Sequence, residues 1–277
     1  MSIGLRVVII TLVVAGSFGC SKDGSNNETK GSNSETKEVS ISEAKGACAD
    51  IHKSQVCTWA KMQGETLLEV GATVPIGSIE NAPADTTMVW PPVPVATLDI
   101  PEVARQKSGM TNVTVFWEPH GHPTPTFLTP HFDFHFNGIS SAELTAIDCK
   151  DLTKPAALPA GYVLPDFDLP PDMTKMMGVK TMVGLCVPKM GMHAVTAADA
   201  ERKEAFEGSM IVGYNIGKPI FFEPMISKAL LMKKESFDLP VPAVPGRPGA
   251  QPTKFRAEYD AQKQEYRLIL SGFSAGS

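Results

Sequence analysis

Short stretches of alternating or continuous apolar residues recur along this chain, set off from one another by proline and glycine. They fall at residues 56–62, 66–70, 111–117, 130–136, 181–187, 210–214 and 220–222. Alternation with period two puts one set of side chains on a buried face and the other on a polar face, the signature of a strand. Proline and glycine each number 23, together 46 of 277 residues, and such frequent punctuation leaves little room for long helices. The expected class is therefore mainly β, an α+β chain with few short helices, built as an antiparallel sandwich or barrel-like domain with long proline-rich loops. A short helix is expected over 197–206, with Thr196 as its cap, and another over 224–234, where Pro224 suits a first turn and Lys233-Lys234 a last one. Residues 155–177 are proline-rich and read as loop. Residues 254–260 and 265–272 alternate well enough for a C-terminal hairpin, which must pack on the main domain because two strands alone are marginal in water.

The first 45 residues follow a different pattern. A weakly basic start with Arg6 leads into an apolar run over 7–15, the length of a signal-peptide core and too short to span a bilayer as a helix. Small residues then lead to Gly19-Cys20, which resembles the processing site of bacterial lipoproteins, with Ser17 standing where an aliphatic residue is usual. That resemblance implies cleavage before Cys20, lipidation of Cys20 and a membrane partner through the lipid anchor. The next 25 residues are polar, lack aromatics and cannot bury enough surface to fold, as befits a tether. The expected organisation is a signal peptide (1–19), a lipidated cysteine and disordered tether (20–45), a main β domain (46–239), a proline-rich linker (240–252) and the hairpin (253–277). The expected location is the cell envelope, facing the periplasm or the exterior.

Cysteine usage agrees with export. Setting Cys20 aside from five cysteines leaves Cys48, Cys57, Cys149 and Cys186, an even number suited to an oxidising compartment. Of the three possible pairings, Cys48–Cys57 with Cys149–Cys186 is favoured, and a four-cysteine zinc site is disfavoured by the lack of a C-x2-C pair. Loss of Arg6 would leave 24 basic against 30 acidic residues, a net −6, with no basic patch interleaved with aromatics, so nucleic acid is excluded as a partner.

Chemistry concentrates in one place. Four of the six histidines, His120, His122, His131 and His135, lie within sixteen residues. Read as a strand, residues 131–136 put His131, Asp133 and His135 on one face and three phenylalanines on the other. His131 and His135 would be ~13 Å apart along a straight strand, so neither shares an ion with the other easily, whereas Asp133 can share one with either. His193, after a probable strand end, and Glu223, between aromatics and a proline, are the outside candidates. The expected metal ligands are His131, Asp133, His135 and His193, with His120, His122 and Glu223 as additional ones. Histidines with a carboxylate suit a divalent zinc, iron or manganese ion. Copper is disfavoured, although Met173, Met176, Met177, Met182, Met190 and Met192 fall in one stretch near His193. A small ligand is a further possibility, as is a homo-oligomer. No nucleophile elbow, zincin helix or P-loop occurs, and the question of catalysis stays open.

The chain resembles a family of poorly characterised secreted or lipid-anchored prokaryotic proteins. The blocks that carry the likeness are W-E-P-H-G-H-P at 117–123 followed by P-H-F-D-F-H-F at 130–136, then 187–193, and Gly213-Tyr214 with F-E-P-M at 222–225. Together they span about residues 111–232. The resemblance implies export and a role for these histidines, and it supplies no reaction. Against the metal- or ligand-binding reading stands a non-catalytic structural or assembly protein whose histidines order loops.

Overall fold

The computed structural model describes residues 40–85 and 87–274, and the expected signal peptide, Cys20 and most of the tether lie outside them. The described chain is mainly β. In chain order the strands are β1 (Ile41–Ile51), β2 (Ser54–Gln63), β3 (Thr66–Pro75), β4 (Ala96–Asp99), β5 (Asn112–Glu118), β6 (His131–Asn137), β7 (Tyr162–Val163), β8 (Phe167–Asp168), β9 (Thr181–Met182), β10 (Met192–Thr196), β11 (Gly208–Asn215), β12 (Lys218–Ser227), β13 (Phe237–Pro240), β14 (Lys254–Asp260) and β15 (Glu265–Ser271). One antiparallel sheet runs β1-β2-β3-β15-β14-β13, a second runs β4-β5-β6-β12-β11-β10-β7, and β8 pairs with β9. The arrangement is sandwich-like and does not close into a barrel.

The main core lies between the two large sheets. Phe132, Phe134 and Phe136 of β6 and Phe222 of β12 meet Val70, Phe255, Leu268 and Leu270 from the other sheet, all essentially without solvent contact. Each buried phenylalanine stabilises the fold by about 1.5–3 kcal/mol relative to an exposed one. The phenylalanine row thus fixes which way β6 faces. A one-residue slip of register would turn every histidine into the core, and the packing of the aromatic face forbids it.

Several expectations change. The helix expected over 224–234 is only Lys228–Leu231, because β12 continues through Ser227 with Pro224 paired against Met210. Both faces of β12 are covered, so its apolar run lacks clean alternation and its proline is an imperfect signal. The short helix Ala197–Glu201 does form, and the Thr196 hydroxyl accepts from the Asp199 amide as its cap. Residues 155–177 are not wholly loop, since they contain β7, β8 and the helix Pro171–Met177. Residues 240–252 act as a packed strap. Val244 and Gln251 exchange two hydrogen bonds of 2.9 Å, and the Arg247 guanidinium donates to the Ser108 carbonyl and lies 5.1 Å from the Phe222 ring centre. The terminal hairpin forms as β14–β15, and β15 pairs along its whole length with β3, placing the hairpin inside the six-stranded sheet. Strand β1 likewise starts at Ile41, inside the segment expected as tether.

Both expected disulfides form. Cys48–Cys57 is a cross-strand pair of β1 and β2, and Cys149–Cys186 links two long loops on the outer side of the seven-stranded sheet. Two disulfides match an extracytoplasmic protein. Among the described residues no helix is long and apolar enough to cross a membrane.

A candidate metal centre on the outer face of the second sheet

The face of β6 opposite the phenylalanines carries His131, Asp133 and His135, and every neighbouring element adds to it. Antiparallel register sets Glu118 of β5 across from His131 and Phe116 across from Asp133. On the other side, the register that pairs Phe222 with Phe136 and Met225 with Asp133 places Glu223 across from His135. Further out, His193 of β10 pairs with Gly213 of β11, which in turn pairs with Phe221. A side chain at Gly213 would overlap the Phe221 ring. That ring stacks on His135 at 4.4 Å between centres and lies 5.3 Å from His193, so it holds both imidazoles in place.

His122 arrives from a loop. Gly121 has φ +68°, and its missing Cβ makes room for the Phe127 carbonyl. The loop is pinned by the Gly121 amide donating to Glu118, the His122 amide donating to Phe127 and the Phe127 amide donating to Thr124. We expect Gly121→Ala to cost at least about 1–2 kcal/mol from the left-handed backbone alone. It should also detach His122 from its neighbours. Thermal melts together with metal content test this, and a variant of wild-type stability would show that the loop tolerates a side chain here.

The six side chains form two groups. His122, His131 and Asp133 present one ligand atom each within 4.8 Å of one another, and His135, His193 and Glu223 do the same. His131 Nε2 is 3.2 Å from Asp133 Oδ1, and His122 Nε2 is 3.7 Å from Asp133 Oδ2. In the second group His135 Nε2 is 3.3 Å from Glu223 Oε1, and His193 Nε2 is 3.9 Å from Glu223 Oε2. Three of the imidazoles are oriented from behind. Nδ1 of His131 lies 2.6 Å from the Thr129 carbonyl, that of His122 lies 2.8 Å from the Pro123 carbonyl, and that of His193 lies 3.0 Å from the Leu185 carbonyl. A carbonyl only accepts, so each Nδ1 carries the proton and each Nε2 is left facing a carboxylate oxygen. Lone pair against lone pair is repulsive unless a proton or a metal cation sits between them. His131 Nε2, Asp133 Oδ1 and Glu223 Oε2 are buried without a hydrogen-bond partner, a costly state that a bound ion would relieve.

The distances suit an ion. Two ligand atoms each about 2.0–2.2 Å from one tetrahedral zinc lie roughly 3.3–3.6 Å apart. The two shorter nitrogen–oxygen distances are already at that value, and the two longer ones need only a small inward movement. Electrostatics show the same demand for positive charge beside the carboxylates. Burial opposes charge on His122, but the Asp133 carboxylate overcomes it and pushes its pKa up to about 9. Burial likewise opposes ionisation of Asp133, yet the two imidazoles hold it far below the usual carboxylate range. Glu118 is pushed up to about 7 by its burial and by Asp133, while His193 is lowered, mainly by burial.

Of the six side chains, all but the fully buried His131 line one cavity of about 260 Å³. The structure thus divides the expected ligand set in two: His131 and Asp133 join His122, and His135 and His193 join Glu223. His120 is exposed at the cavity mouth and belongs to neither group. Glu118, half-buried at the edge of the site, was not singled out from sequence. The alternation of Asn112, Thr114, Phe116 and Glu118 with Val113, Val115 and Trp117 was the available signal. The Cys149–Cys186 bridge also serves the site, since Leu185, whose carbonyl orients His193, is the neighbour of Cys186. Compared with known proteins, the chain matches no family model, no curated protein and no solved structure.

Proposed function

We propose that this chain is an exported, lipid-anchored envelope protein that binds divalent metal ions at two adjacent three-ligand sites. The observation that carries the reading is the orientation of the imidazoles: three Nδ1 atoms engage backbone carbonyls, and all four Nε2 atoms face the oxygens of Asp133 and Glu223. Hydrogen bonds that fix the tautomer from behind are the usual outer support of metal-binding histidines. Two histidines and one carboxylate at each site favour zinc, iron(II) or manganese(II) over softer ions. With three protein ligands, each ion keeps at least one position for water or another ligand. The anchor follows from Cys20 and the polar segment behind it, and the two disulfides support export.

The methionines give copper one specific argument, since Met173, Met176, Met177, Met182 and Met190 line the same cavity. Each of the two carboxylates faces two imidazoles, and the hard carboxylates disfavour Cu(I). Elemental analysis of untagged protein, made under oxidising conditions, decides the matter. We expect close to two equivalents of zinc, iron or manganese, removed by chelation with a fall in melting temperature of several degrees. Protein that holds no ion even after incubation with each of them would leave the histidines as loop-ordering groups of a structural or assembly protein.

A further inference from the structure

The cavity above the two sites has a divided lining. Its floor is made of the histidines, Asp133 and Glu223, whereas its walls and rim are apolar, with Trp90, Met88, Met173, Met176, Met177 and Met182 among them. Met88 and Met176 keep 47% and 42% of their surface exposed at the rim. Methionine is flexible and polarizable, and a wall built from it adapts to apolar groups of varied shape. Among the described residues, no lysine or arginine lines the cavity.

Charge decides what the floor accepts. Glu118, Asp133 and Glu223 can contribute up to three negative charges, against which the floor sets only imidazoles. Without ions the carboxylates of the floor repel anions, and the His122 imidazole among them is already engaged with Asp133. Two divalent ions reverse the sign and open coordination positions toward the cavity. A ligand matched to both regions has an anionic oxygen head and an apolar body. The cavity sits just below the usual size range of small-molecule sites, roughly 300–1,000 Å³, so the body is short.

We propose that the metal-loaded centre captures a short amphipathic carboxylate, its head on the ions and its chain along the methionine wall. This rests on the two-site metal reading above. Capture requires both features, so it is absent from the metal-free protein and strengthens with chain length. Each methylene buried should raise affinity about fourfold.

Calorimetric titration of the full-length zinc-loaded chain with butanoate, hexanoate and octanoate tests this, with metal content measured on each sample. We expect tighter binding along the series, no binding of octanoate after chelation, and a weakened octanoate but unchanged butanoate response in the Met88→Ala/Met176→Ala variant. Equal affinity along the series would show a bare anion site and overturn the proposal. Octanoate binding that survives chelation would show an apolar groove independent of the ions and overturn it as well. No binding by protein that holds its ions would overturn the carboxylate proposal while leaving the metal reading intact. Protein that takes up no ion would overturn both.

Discussion

Glu223→Gln should leave the protein folded and remove one of its two metal ions. Glu223 is 1% exposed and is the only carboxylate of its group, set between His135 and His193. Glutamine has nearly the same shape, so the packing of Phe221 and Met225 around it is undisturbed. The amide takes away the anionic ligand while giving His135 Nε2 a neutral donor, so the change also relieves the opposed lone pairs of the metal-free state. Loss of a partner that merely orients a ligand weakens metal binding by about 10–100-fold, and removal of a direct ligand should exceed that. The expected result is one equivalent of metal in place of two, with the chelated variant melting no lower than chelated wild type. Asp133→Asn should delete the other ion, and the double variant both. Retention of two equivalents by Glu223→Gln would show that the carboxylate is not a ligand.

Much of this centre is legible in sequence because β6 carries its own instructions. An uninterrupted F-x-F-x-F row can be buried only one way, and that choice directs His131, Asp133 and His135 outward together. The pairing of the four remaining cysteines was equally accessible, from their even number and spacing. What sequence leaves hidden is everything set by cross-strand register. Glu223 faces His135 because β12 lies beside β6, and His193 reaches the same carboxylate only because Gly213 leaves the intervening strand bare. No local pattern records either fact. The same blindness explains the proline errors. Pro224 reads as a helix start and residues 240–252 as a spacer, because proline's local preferences are strong, and in both places tertiary packing overrides them. It also explains why one set of candidate ligands was expected where the structure forms two groups that could each hold an ion. Distance along the strand correctly separated His131 from His135, but the partners that complete each group come from a loop and from two other strands.

The two faces of β6 therefore separate stability from chemistry, and neighbouring substitutions should show it. Phe134 is 1% exposed within the main core, and Phe134→Ala should cost about 3–5 kcal/mol, the range for deletion of a buried aromatic ring with incomplete collapse of the space left behind. That is a large fraction of the 5–15 kcal/mol typical of a whole domain. The next residue, His135, faces the metal centre. His135→Ala should remove the ion bound with Glu223 and His193 while costing the chelated protein far less than the phenylalanine change, because the space it leaves joins an existing cavity. Denaturant titrations of chelated wild type and the two variants, paired with metal analysis of the loaded forms, measure both effects. Any Phe134→Ala protein that remains folded should still bind two ions, with its backbone register held by the flanking Phe132 and Phe136. If His135→Ala proved as destabilising as Phe134→Ala with its metal content intact, the outer face of β6 would be a second core, and its histidines structural.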